Sequence, residues 1–230
     1  MEVFDLIDID SWPRKFYFDH YYQHVKCTYS FVASIDISNL LPACKQHKIK
    51  LYPVMLYIIS RAVNEIKELH IDVNEKSQVG LWNFVSPCYT VFHEDEKTFS
   101  NIWTRYNANF SIFYRHFLHD IEQYGQVKEF IAKPNDPGNT FPVSCAPWLD
   151  FTAFNLNIYD DARYLKPIFT IGKYTHQEGK IMVPLAIQCH HALCDGYHAG
   201  LLLENIRNLA ASFEQWMLIE QPSLLDLCGV

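Results

Sequence analysis

The sequence predicts a single α/β domain in which helices pack on one mixed sheet, two layers in all, and three patterns carry that prediction. Cys27, Tyr29, Phe31, Ala33 and Ile35 alternate with Thr28, Ser30 and Ser34, the period of a half-buried strand. Val54, Ile58, Ala62 and Ile66 recur at helical spacing after Leu51-Tyr52-Pro53. An apolar run from Ile181 to Ile187 is followed, after a polar connection, by Ala199, Leu202, Ile206 and Leu209 on one helical face. Strands interspersed with helices make a mixed α/β sandwich.

The remaining elements follow in chain order. Ser11 is placed to cap a helix in which Pro13 takes an early position, ahead of the aromatic cluster Phe16 to Tyr22. Asp36-Ile37-Ser38 leads into a short helix through about His47. Val79 to Trp82 and Tyr89 to Phe92 read as two strands joined near Pro87. Phe110, Phe113, Phe117, Ile121 and Tyr124 mark an amphipathic helix. Lys133 to Thr140, with two prolines and Gly138, reads as a loop. Residues 141–146, 151–158 and 167–174 read as three further strands. The domain is expected to span residues 1–211. An apolar tail, 212–230, carries Phe213, Trp216, Met217, Leu218, Ile219, Leu224, Leu225 and Leu227, and is expected to dock on the domain or on a neighbouring subunit.

Composition bounds the function. The chain has 230 residues, enough to bury a substantial core, and 49% of them are hydrophobic. A formal charge of -7 leaves no basic stripe to neutralise phosphates, so nucleic acid is not an expected partner. No apolar run is long enough to span a bilayer, and the first residues lack a basic start and an apolar core. Seven irregularly spaced cysteines suggest reduced thiols in a cytoplasm.

The chemistry concentrates in Gln188-Cys189-His190-His191-Ala192-Leu193-Cys194-Asp195-Gly196-Tyr197-His198. The pattern predicts a strand that delivers two histidines and an aspartate into a tight connection before a helix, with Gly196 expected at a backbone turn closed to other residues. Histidine titrates near neutral pH, so it can take a proton from a hydroxyl and return it. Two other readings of these residues stay open: a turn whose polar groups merely fill space, and a zinc site. Against zinc, adjacent strand histidines point to opposite faces, and no further pair completes a tetrahedral set.

This run resembles the active-site signature of the chloramphenicol acetyltransferase family, with Cys189 where an aliphatic residue is usual. The likeness extends from about Ser11 to Leu209. It includes Trp12-x-Arg14-Lys15-x-x-Phe18, Tyr52-Pro53-Val54-Met55, Thr90-Val91-Phe92-His93, Ser144-x-x-Pro147-Trp148 and Phe154-Asn155-Leu156-Asn157. The resemblance implies a CoA-dependent acyltransferase fold and acetyl transfer from acetyl-CoA to the 3-hydroxyl of chloramphenicol, with antibiotic resistance as the outcome. It implies His191 as general base, Ser144 as donor to the tetrahedral oxyanion, and Asp195 paired with Arg14 to shape the loop. Thr170 matches a residue that helps hold a water near the reacting centre. Tyr21, Val25, Cys27, Tyr29, Phe99 and Leu156 match acceptor positions, with Val25 and Cys27 on one strand. Tyr52, Trp148, Lys173 and Tyr174 match positions along the CoA path. No metal is implied. The family forms homotrimers with active sites between subunits. His70 stands where arginine is expected, and Pro142 departs from the familiar pattern. The alternatives are an O-acyltransferase for another hydroxylated small molecule, the acyltransferase core of a dihydrolipoyl complex, and a non-catalytic ligand-binding homologue.

Overall fold

A computed structural model describes residues 1–161 and 163–217. The larger of two sheets has the order β2-β10-β8-β7-β5-β6, with β9 against β10. Its strands are β2 (Thr28–Asp36), β5 (Ser86–His93), β6 (Thr98–Trp103), β7 (Thr140–Cys145), β8 (Ile168–Ile171), β9 (Thr175–Gln177) and β10 (Lys180–His190). β7 runs parallel to β5 and β8, and the other pairs are antiparallel, so the sheet is mixed. The smaller sheet is antiparallel, β1 (Phe4–Leu6), β4 (Val79–Trp82) and β3 (Ile71–Val73) in that order.

One face of the large sheet carries Tyr89, Ile102, Val143, Phe169, Val183, Leu185 and Ile187, all buried in the main core. Helices α2 (Leu40–Gln46), α3 (Leu51–Asn64), α4 (Phe110–Tyr124) and α5 (Gly196–Ala211) supply the other half of that core. α3 starts at Leu51, so Pro53 falls in the first turn, where its missing N–H is no loss. Asn109 caps α4 by accepting from Ile112 N at 3.2 Å. A second core joins Phe18, Ile71, Val79, Leu165, Ala192 and Leu193, tying the small sheet to the connection after β10. Burial of Ala192 and Leu193 there fixes the backbone on which His191 sits.

Some expectations change. The first helix, α1, spans only Lys15–Phe18 and continues as a wide turn, Asp19–His24; Ser11 bonds Asp8 instead of capping it. Pro87 lies inside β5, and Trp82 and Ser86 belong to different sheets. Val25 and Cys27 precede β2, because Lys26 sits at φ 54 and interrupts the extended backbone. Residues 151–158 form no strand. Gly196 is the first residue of α5 without a left-handed backbone, and a Cβ there would meet nothing. Phe213 and Met217 are buried in the main core, and Trp216 packs on Tyr57 and Phe110. Leu218, Ile219, Leu224, Leu225 and Leu227 lie outside the described residues.

Candidate active site

β10 ends at His190, which is buried, and His191 follows it into the connection to α5. The His191 N–H donates to Cys27 O at 2.9 Å, which closes the end of β10 against the residue before β2. The imidazole stacks on Tyr21, ring centroids 4.0 Å apart and planes within 3°, and Tyr29 meets it edge-on at 5.4 Å. Its Nδ1 is buried and bonded to no described residue.

Asp195 holds this connection in shape. Its Oδ1 accepts from Tyr197 N at 3.0 Å and lies 2.9 Å from His198 Nδ1, forming a capping box at the start of α5. Its Oδ2 takes Arg14 Nη1 at 3.1 Å, while Arg14 Nε donates to Ala192 O at 3.1 Å. Burial alone would raise the Asp195 carboxyl; the bonds from Arg14 and His198 outweigh it and hold the group below its ordinary range. One guanidinium thus ties both ends of the Ala192–Asp195 segment to the residue that precedes α1. The Tyr29 hydroxyl donates to Asp195 O at 3.2 Å, and burial with a bond to Cys194 Sγ keeps it protonated far above the usual range. Cys189 sits in the core beside Cys194; their hydrogen bond and burial push its thiol up, so it fills the aliphatic position as a neutral group.

Ser144 and Thr170 are register partners on the face of the sheet away from the helices, and Thr170 in turn pairs with Ala186 of β10. Leu156 and Thr170 line one small cavity with Gln188. Phe99 lies opposite Phe92 on the outer strands and is half exposed. His191 stands five residues beyond Ala186, and Ser144 lies two strands across from that point. The two are therefore roughly 19 Å apart within one chain, further than a hydroxyl and an imidazole can span. The predicted residues fall into two groups. His191, Asp195, Arg14, Tyr21 and Tyr29 assemble at the end of β10, with Cys27 beside them and Val25, half exposed, closing the preceding turn. Ser144, Thr170, Leu156 and Phe99 lie with the open face.

A cavity of about 510 Å³ contains Tyr52, Pro53, Thr90, Phe92, Cys145, Pro147 and Trp148. The Tyr52 hydroxyl donates to Thr90 O at 3.3 Å. Lys48 and Lys50 stand at the same cavity. Sequence reasoning missed both; two lysines just ahead of Tyr52-Pro53 were the available signal. Lys173 N donates to Leu149 O at 2.7 Å, which sets Lys173 and Tyr174 beside the residue after Trp148. Among the described residues, no three of His, Cys, Asp and Glu are grouped to hold a metal ion.

The chloramphenicol acetyltransferase family profile matches residues 2–207. This chain belongs to that family. A chloramphenicol acetyltransferase of Clostridium butyricum is 50% identical over 214 residues, 93% of this chain and 98% of the relative. One of Vibrio anguillarum is 43% identical over 92% of this chain and 96% of its own length. A solved chloramphenicol acetyltransferase superposes with a TM-score of 0.85 at 21% identity, over 90% of this chain and all of that one. The dihydrolipoamide acetyltransferase of Azotobacter vinelandii shares the fold, with a TM-score of 0.65 at 17% identity over 86% of this chain and 88% of that one. The chain is an acyltransferase by family, with the mixed-sheet CoA-dependent acyltransferase fold.

Proposed function

We propose that this chain transfers an acetyl group from acetyl-CoA to the 3-hydroxyl of chloramphenicol, conferring resistance, as a homotrimer in the cytoplasm. The observation that carries the mechanism is the His191 imidazole, stacked on Tyr21 and set on a connection that Arg14 and Asp195 hold. With Nδ1 buried, base function falls to Nε2. Nε2 takes the hydroxyl proton as the acceptor oxygen attacks the thioester carbonyl. The tetrahedral oxyanion accepts a hydrogen bond from Ser144, worth about 3 kcal/mol. Collapse breaks the carbon–sulfur bond, expels the CoA thiolate and returns the proton from His191 to sulfur.

The separation of His191 from Ser144 within one chain supports a site shared by two subunits, His191 of one facing Ser144, Thr170, Leu156 and Phe99 of its neighbour. The cavity at Tyr52 and Trp148 suits the pantetheine arm of acetyl-CoA, with Lys48, Lys50 and Lys173 at hand for phosphates. Reduced thiols fit a cytoplasmic protein: all six described cysteines are free. No helix among the described residues is long and apolar enough to cross a membrane. The test is release of free CoA thiol from acetyl-CoA by purified protein, with and without chloramphenicol. Chloramphenicol-dependent release is expected; release with another hydroxylated small molecule alone would reassign the acceptor.

A further inference from the structure

We propose that Gln188 is a positioning residue for the acceptor pocket, its side-chain carbonyl anchoring residues 150–159 and setting Leu156 on the open face of the sheet. The proposal rests on the reading of Leu156 as an acceptor contact. Residues 150–159 form neither helix nor strand. Among the described residues, a single hydrogen bond joins them to the rest of the protein: Leu156 N to Gln188 Oε1, at 3.2 Å. At the start of the segment, Phe151 packs so closely on Gly172 that a Cβ there would come within 2.7 Å of the Phe151 ring and of Pro184. Beyond that point the backbone has no other polar tie to a described residue.

Gln188 is well placed to supply one. Its backbone pairs with Ser30 of β2 and Ile168 of β8, so it sits on an interior strand with neighbours on both sides. The residue is 9% exposed and lines the same small cavity as Leu156 and Thr170. Because a backbone N–H is the donor, the amide oxygen must face the segment. Gln188 is also three residues before His191, so β10 of each chain leads to the base of one shared site and holds the acceptor wall of another.

Gln188→Met keeps the volume and removes the acceptor; Gln188→Glu keeps an acceptor; Leu156→Pro removes the donor from the other side. Two readouts are used: steady-state constants for both substrates, and limited chymotrypsin cleavage within 150–159, which needs no assumption about the acceptor. Gln188→Met is expected to raise KM for chloramphenicol about tenfold, leaving KM for acetyl-CoA and kcat within about twofold, and to speed cleavage several-fold. Gln188→Glu should restore both readouts toward wild type. Gln188→Met added to Leu156→Pro should add little, as two cuts in one bond. Unchanged cleavage, additive losses, or an equal rise in both KM values would overturn the proposal. Should Gln188→Met fail to fold, Leu156→Pro and Gln188→Glu decide by the same readouts. Were wild-type protein inert toward chloramphenicol, the acceptor reading would fall, while the cleavage comparison would still decide whether Gln188 anchors the segment.

Discussion

The Tyr21 ring lies flat on the His191 imidazole, with centroids 4.0 Å apart and planes within 3° of parallel. No hydrogen bond to a described residue fixes that imidazole's buried Nδ1, so the stack and the edge of Tyr29 govern its orientation. Tyr21→Phe should keep kcat within a few-fold, whereas Tyr21→Ala should lower it about tenfold to a hundredfold. Equal activity in both variants would show that the ring does not orient the base.

His191→Ala should abolish nearly all transfer and leave assembly intact, and Ser144→Ala should cost about a hundredfold in kcat. Mixing the two variants during refolding tests whether sites are shared. Random assortment in a trimer gives about a quarter of the sites an intact His191 and an intact Ser144 from different chains, and activity should return in that proportion. Failure to recover would place both groups in one chain's site.

Arg14→Met removes both bonds that tie the catalytic connection to α1. Asp195 is partly exposed, so the ion pair alone is screened, and the loss should be about 1–3 kcal/mol with a fall in kcat. Because the folded Asp195 carboxyl is held below its ordinary value, its contribution is present at neutral pH and disappears as pH falls through the folded value. The stability gap between wild type and Arg14→Met, measured in urea, should therefore be full at pH 7 and shrink below about pH 4.

Lys133 and Asp120 form a buried pair at 2.6 Å, with side chains 13% and 7% exposed. Asp120 also accepts from Thr104 at 2.7 Å, and Lys133 lies 3.7 Å from the Trp103 ring centroid. Lys133→Met strands a buried carboxylate and should cost about 3–5 kcal/mol by urea unfolding; adding Asp120→Leu should recover much of that loss. A double variant no better than the single one would contradict the stranded-charge account.

How legible these features were depends on whether the information is local. α3 and α4 were readable because their apolar faces repeat at helical spacing, and β2 because its alternation matches its burial. Residues 151–158 carry a strand-like pattern yet form none: they make no ladder to a neighbouring strand, and among the described residues Leu156 alone of them has a backbone hydrogen bond. Lys26 at φ 54 separates Val25 from the extended backbone of β2, a positive φ on a lysine that nothing in the composition announces. The motif around His191 was visible as a string, and Arg14 was assigned to Asp195 only by family likeness. The Lys133–Asp120 pair and the cavity lysines depend on contacts distant in sequence, or on a cavity no single segment defines.

The register that puts His191 and Ser144 roughly 19 Å apart within one chain also bears on dosage. If each turnover draws these groups from two chains, a dilute protein loses working sites as its subunits separate. Output per molecule would then rise with expression level until assembly saturates. A cell carrying few copies would be disproportionately sensitive to the drug, and an inactive variant in excess would poison the sites of its active neighbours.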